Sequence, residues 1–246
     1  MTVILQDALP EDAISHALPG TRPLAHGDWL RRDERYAEQM ALRDRLVAEK
    51  RDAVIGMRPE GEAPARELLS IIAAELGASG TEYARPDGVR VTLDADDPLG
   101  TLGRLCQEDF AIMVAGEAEH WLAAGVVCFP SRWTLAQKIG RPLTRIHKPV
   151  KVYDNGLARR VQRLFDAAHP DRSIVRWNRL PYWDTKLFNP QLEPKYDGPF
   201  APEGERSFIR AERQVIRRLP ETGAVVFSIH TWLVKASAVQ APARSA

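Results

Sequence analysis

Apolar side chains first fall into a helical rhythm at Trp29, Leu30, Tyr36, Met40, Leu42, Leu46 and Val47, three and four apart with charges between, and Asp28 can cap them. A second helix is expected after the break between Pro59 and Pro64, with Leu68, Leu69, Ile71, Ile72 and Leu76 inward and Gly77 as its stop. Two helices should therefore precede any sheet. Beyond Gly80 the period shortens to two over Val89–Leu93, behind the turn Pro86-Asp87-Gly88. Leu99 to Cys106 reads as a short helix or turn. Phe110–Val114 and Trp121–Phe129 read as strands joined by the polar bend Glu117–Glu119, and the unbroken apolarity of the second requires cover on both faces. Leu157–Ala168 is an amphipathic helix, Ser173–Asn178 a strand, and Pro181–Pro202 a long ordered loop. Ser207–Leu219 reads as a helix stopped by Pro220, and Ala224–Lys235 as the longest strand, which should be central. The segment before Asp28, with Pro10, Pro19 and Pro23, should lie extended over the rest, and the tail from Ala236 should fray. Five strands and several helices make a mixed α+β chain.

Candidate chemistry concentrates between Cys128 and Val150. Ser131 can cap a helix carrying Trp133, Leu135 and Ile139, which Gly140 and Pro142 end. Pro149 disfavours helical geometry at Lys148, so His147 should close a turn with its ring projecting. An imidazole beside Lys138, Arg141 and Arg145 suits an anionic, metal-bearing ligand; haem is one, because its iron takes an imidazole and its propionates need cations. A surface or capping histidine is the other reading. In a helix over 207–219, Glu212 would share a face with Phe208, Val215 and Leu219. A carboxylate in such a stripe needs an ion pair, with Arg176, Arg210 or another arginine, or has a raised pKa and a task. In the last strand, alternation sets His230 with Val226, Ser228, Trp232 and Val234, either as a pocket wall or as a satisfied core histidine.

Composition adds mainly exclusions. The 246 residues allow a buried core, and a net charge of +1 gives no general pull toward nucleic acid or membrane. Cys106 and Cys128 form no CxxC and predict small core residues, neither a disulfide framework nor zinc. The N-terminus has no basic, apolar leader and no run approaches the roughly 20 apolar residues of a membrane span, so the expected location is the cytoplasm. No GxGxxG occurs, so any reducing equivalents should come from another chain.

Several segments in a fixed order, from about Pro23 to Trp232, resemble the haem-dependent oxidative N-demethylase family: Asp28-Trp29-Leu30 with Asp33 and Tyr36, Glu108-Asp109, Cys128 to Trp133, Lys138-Ile139-Gly140, Ile146-His147 with Pro149-Val150, and Arg210 to Gln214 with Arg218-Leu219-Pro220. The resemblance implies a PAS-like antiparallel sheet with flanking helices, its core at 81–236 behind an N-terminal helical extension at 1–80. It implies haem b, dioxygen, a secondary amine such as dimethylamine, release of formaldehyde, and flavin or iron–sulfur reductase partners. His147 matches the position of the axial iron ligand, and Glu212 the family's acidic residue, taken as amine-binding or proton-handling. Arg132 and Lys138 match basic positions that, with Arg145, could meet propionates. Two departures lie near the implied pocket: Trp177-Asn178-Arg179 where the family shows Asn-Trp, and His230 where it shows arginine. His230 is thereby a second catalytic candidate and the alternative iron ligand. A haem-based gas or redox sensor, or a non-catalytic subunit, would share these residues.

Overall fold

The computed structural model describes residues 3–16, 18, 20–147, 155–193 and 206–239, the side chains of 155–159 apart. The elements run α1 (Glu11–Ser15), β1 (Arg22–Pro23), α2 (Tyr36–Glu49), α3 (Arg51–Val54), β2 (Ile55–Met57), α4 (Glu62–Glu75), β3 (Glu82–Ala84), β4 (Arg90–Thr92), α5 (Pro98–Leu105), β5 (Asp109–Ala115), β6 (His120–Val126), α6 (Leu135–Lys138), α7 (Leu143–His147), α8 (Asn155–Asp166), β7 (Ile174–Tyr182), β8 (Phe208–Arg218) and β9 (Val225–Lys235). An antiparallel sheet of seven strands, in the order β1-β7-β8-β9-β5-β6-β2, carries the fold, and β3 and β4 form a separate hairpin. The mixed α+β architecture and the central last strand are as the sequence predicts.

Four expectations change. The sheet has seven strands instead of about five, because the two- and three-residue edge strands β1 and β2 are defined by their partners and too short to show a period. They also place strands before and between the first long helices, where none was expected. Val89–Leu93 does form a strand, but in the β3–β4 hairpin outside the main sheet. The largest correction is β8, expected as a helix. Its arginines, Glu212 and Gln214 favour helix intrinsically, but the chain pairs along nine residues of β7 and eleven of β9. Arg210, Arg213, Gln214, Val215 and Ile216 are all buried there, so burial follows two covered faces and not one helical stripe.

On one face of the sheet Phe110, Ile112, Val215 and Val226 join Leu46 and Val47 of α2, Leu68 and Ile72 of α4, and Leu99 and Leu102 of α5. On the other, Met113, Ile216 and Val225 meet Leu135 of α6, Leu143 of α7 and Phe165 of α8. The N-terminal segment extends the sheet where β5 has ended. The Gln6 N–H donates to Leu233 O at 3.0 Å, while its side chain accepts from Leu233 N at 2.8 Å and donates to Thr231 O at 3.4 Å. No helix among the described residues is long and apolar enough to cross a membrane.

The turn before α4 presses directly on β6. A Cβ added at Gly61 would stand 2.6 Å from Ala124 Cβ and 2.8 Å from Ala123 O. Gly61→Ala is expected to cost about 1–3 kcal/mol in urea unfolding, since neither backbone can retreat without disturbing the sheet.

Candidate functional site

The stretch that begins at Cys128 is anchored from below. Asp109 accepts the N–H groups of Cys128 and Phe129 at 2.8 and 2.9 Å and pairs with the fully buried Arg43 at 2.7 Å. Both cysteines are buried and free, as expected of core residues, and burial pushes the Cys128 thiol up to about 12. The helix that follows is shorter than the sequence implies. Its N-cap is Thr134, not Ser131, and the Thr134 hydroxyl goes to Gln137 Oε1 at 2.8 Å instead of capping backbone. Gly140, at φ +74°, ends the turn, and residues 140–141 then pair with the free end of β6 through Gly140 N–H to Leu122 O at 2.7 Å and Leu122 N–H to Arg141 O at 3.0 Å. That pairing launches α7, whose last residue is His147; the ring lies at a helix C-terminus and not in an open turn.

The His147 ring is held in one tautomer. Nδ1 is 2.9 Å from Leu143 O, a pure acceptor, so Nδ1 carries the proton and Nε2 the lone pair. Burial lowers the pKa of His147, and the nearby charges of Lys138 and Arg176 push the same way, so the ring is neutral. Of the expected cations, Lys138 bears on the ring, as does Arg176, which was not among them. Buried Lys138 donates to Ile146 O at 2.5 Å and lies 3.7 Å from Glu193, which Arg145 meets at 3.0 Å. Burial, more than any neighbour, lowers the Lys138 pKa. Arg132, at φ +62°, donates from Nε to Gln191 at 2.9 Å and lies 4.8 Å from the Trp183 ring. Of the loop expected over 181–202, Pro181 and Tyr182 instead end β7, residues 183–193 clip over α6 and α7, and the rest lies outside the described residues.

Glu212 points to the face that carries Met113 and Ile216 and is covered by α6, α7 and α8. Its register partners are Asn178 on β7 and Thr231 on β9, and Arg210 and Gln214 flank it on the same face. Arg210 Nε donates at 3.2 Å to one carboxylate oxygen; Gln214 at 3.1 Å and Asn178 at 3.4 Å serve the other. Glu212 is therefore no stranded acid in an apolar stripe. The ion pair that the sequence left open is made, with Arg210.

Arg176, two residues from Asn178 along β7, joins the two halves. It feels the charge of Glu212 and bears on His147. Its Nε is buried without a hydrogen-bond partner among the described residues, and so is the hydroxyl of Thr231. The sequence reading named Arg176 only as a possible ion-pair partner. Alternation along β7 would have placed it beside Asn178 and opposite Trp177, had the partner strand been recognised.

His230 is on the other side. It lies opposite Arg213 in register, one residue from Thr231, so it faces away from Glu212 and cannot share a pocket with it. Its Nδ1 is 3.0 Å from Glu108 and its Nε2 3.1 Å from Asp33, and the ring stacks on Trp232 at 4.0 Å. Arg213, paired with Asp28 at 2.9 Å, and Arg31, also on Asp28, complete the cluster. With both nitrogens facing carboxylates, both donate and the ring is an imidazolium. Burial pulls its pKa down, and the bonds to Asp33 and Glu108 more than reverse this; both acids are lowered.

A pH-dependent stability follows. The histidine's contribution is complete below the ordinary 6.5 and is lost as pH rises through its raised folded value. The acids' contributions are present above their ordinary 3.8 and 4.5 and are lost as pH falls. His230→Gln is expected to lower stability by about 3 kcal/mol at pH 6. Urea titrations should show that deficit shrinking steadily above neutrality; a constant deficit would mean the ring is not charged.

The arrangement comprises a neutral histidine, a carboxylate paired with Arg210, and an arginine whose Nε has no partner among the described residues. A model of the family described as haem-dependent oxidative N-demethylase, alpha subunit-like, matches residues 20–245, nearly the whole sequence, and the chain belongs to that family.

Proposed function

We propose that this chain is the haem-binding, substrate-oxidising subunit of an amine demethylase, with His147 as its iron ligand and Glu212 as the residue that meets the amine. The observation that carries the reading is the His147 tautomer: Nδ1 donates to Leu143 O, the supporting bond that orients an imidazole ligand. The cofactor assigned is haem b, and the residues near His147 offer cations for its propionates. Lys138 and Arg145 share one carboxylate, Glu193, so two cations face one anion, and Arg132 stands beside the same loop. These three are assigned to the propionates. In this reading the sheet and its helices form a PAS-like haem domain.

When bound, haem supplies the dioxygen chemistry that oxidises a C–H bond next to the amine nitrogen. Overall, a secondary amine, dioxygen, two electrons and two protons give a primary amine, formaldehyde and water. Glu212 neutralises the substrate ammonium and fixes its orientation, more strongly in a dry pocket than in water. Arg210, Gln214 and Asn178 hold both carboxylate oxygens and so fix the direction in which Glu212 can accept. His230, on the far face, is assigned to the framework and not to the reaction. The electrons are assigned to a flavin or iron–sulfur reductase subunit in the cytoplasm, consistent with an alpha subunit-like family and with the lack of a GxGxxG segment.

The test is formaldehyde release from dimethylamine by the haem-reconstituted protein with dioxygen and a chemical reductant. Release in proportion to amine consumed is expected. Haem binding with no formaldehyde would replace the enzyme by a sensor, and no haem binding would leave a non-catalytic subunit. Glu212→Gln should weaken amine binding about tenfold or more with the Soret band unmoved. Unchanged amine affinity would remove Glu212 from its role.

A further inference from the structure

Glu212 is not the only charged group on its face of the sheet, and the balance of charge there is informative. The Glu212 carboxylate is already matched by Arg210 at 3.2 Å. Lys138 and Arg145 share Glu193, and the cation in excess there is the one assigned to the propionates. Arg176 is therefore surplus. It makes no ion pair or hydrogen bond among the described residues, its Nε is buried and unpartnered, and burial already disfavours its charge. A second orphan lies on the other side of Glu212: Thr231, 1% exposed, is its register partner on β9, and its hydroxyl has no partner among the described residues. Buried polar atoms are costly when unpaired, so the enclosed Nε of the half-buried Arg176 and the buried Thr231 hydroxyl, flanking one carboxylate, point to a position completed by a ligand.

We propose that Arg176 and Thr231 form a carboxylate-binding position beside Glu212, so that the secondary amine this chain takes best is an N-alkylated amino acid and not a simple dialkylamine. The inference rests on the amine reading of Glu212 and deepens it. A dialkylammonium ion would add a further positive charge beside a guanidinium that has no ion pair among the described residues. A zwitterion adds none, and it gives the ammonium Glu212 and the carboxylate Arg176. Arg176 sits diagonally from Glu212 across the β7–β8 pair, a relation in which Cα atoms are about 7–8 Å apart and a long side chain still reaches its neighbour. Guanidinium is the cation suited to this task, because its fork matches a carboxylate in two bonds. Thr231 can donate to the same carboxylate from the opposite strand.

A haem propionate offers the same chemistry, and the experiment separates the two sources. N-methylglycine and dimethylamine are titrated by calorimetry into the haem-loaded protein, and the haem affinity of each variant is measured by absorbance. N-methylglycine is expected to bind at least tenfold more tightly than dimethylamine. Arg176→Gln should bring that ratio close to one through loss on the N-methylglycine side, with haem affinity intact, and Thr231→Val should lower the ratio by a smaller factor. Equal affinities for the two amines in the unmodified protein, or no binding of either, would overturn the proposal. So would an Arg176→Gln protein that keeps the ratio but loses haem, since the carboxylate met by Arg176 would then be a propionate. Should the chain bind no haem yet still prefer N-methylglycine, with Arg176 required, the carboxylate position stands while the haem reading fails.

Discussion

Asp109→Ala is expected to remove about 3–5 kcal/mol of stability, enough to unfold many domains of this size. Arg43 is wholly buried, and its guanidinium is fixed by Gly103 O at 2.9 Å, Gln107 O at 3.1 Å, Glu108 O at 2.7 Å and Asp109 at 2.7 Å. Only Asp109 in that set carries a negative charge. Without it a cation remains in the core and the N–H groups of Cys128 and Phe129 lose their acceptor, so the start of the His147 stretch is released as well. Urea unfolding of Asp109→Ala, Arg43→Met and the double variant tests this directly. The double variant should be less impaired than the sum of the singles by more than 1 kcal/mol, because an absent pair costs less than a broken one. Additive effects would mean that the two groups are not coupled.

His147→Gly should abolish histidine-type ligation of haem while leaving the fold intact, because the ring ends a five-residue helix and is only half-buried. Loss of the iron ligand itself should exceed the roughly 10–100-fold weakening caused by changes in a ligand's supporting bonds. Free imidazole, which fits the space the substitution opens, should restore the ligated spectrum. Retention of the native spectrum without imidazole would place the ligand elsewhere. His120 is a buried imidazole on the side covered by α8; its Nδ1 lies 2.9 Å from Gln162, and burial lowers its pKa.

What could be read in the chain alone was set by the reach of local pattern. The β5–β6 hairpin announced itself through two apolar runs around Glu117–Glu119, α4 through its stripe and Gly77, and β9 through a long apolar run that only a central strand can hide. The alternation read in β9 also holds, with Ser228 bonded to Trp29 and His230 on that same side. β8 was illegible for a physical reason. Its arginines reach inward to backbone carbonyls, Arg210 to Phe129 and Leu187 and Arg213 to Trp29, so residues that ordinarily mark a solvated helix face here fill a core. That one misreading hid which strand faces which. Without the β7–β8 and β8–β9 registers, nothing could say that Glu212 and His230 lie on opposite sides of the sheet, or that Arg176 lies diagonally from Glu212. Arg43 was equally hidden, because an arginine among the charges of α2 looks exposed until the carbonyls that surround it are in place.

The central claim is that one imidazole of this chain holds one haem. Titration of the purified protein with hemin, followed at the Soret band, tests it most directly. Saturation at one haem per chain, with the spectrum of histidine-bound iron that His147→Gly loses, is the expected result. A band that never saturates, or that saturates identically without His147, would contradict it.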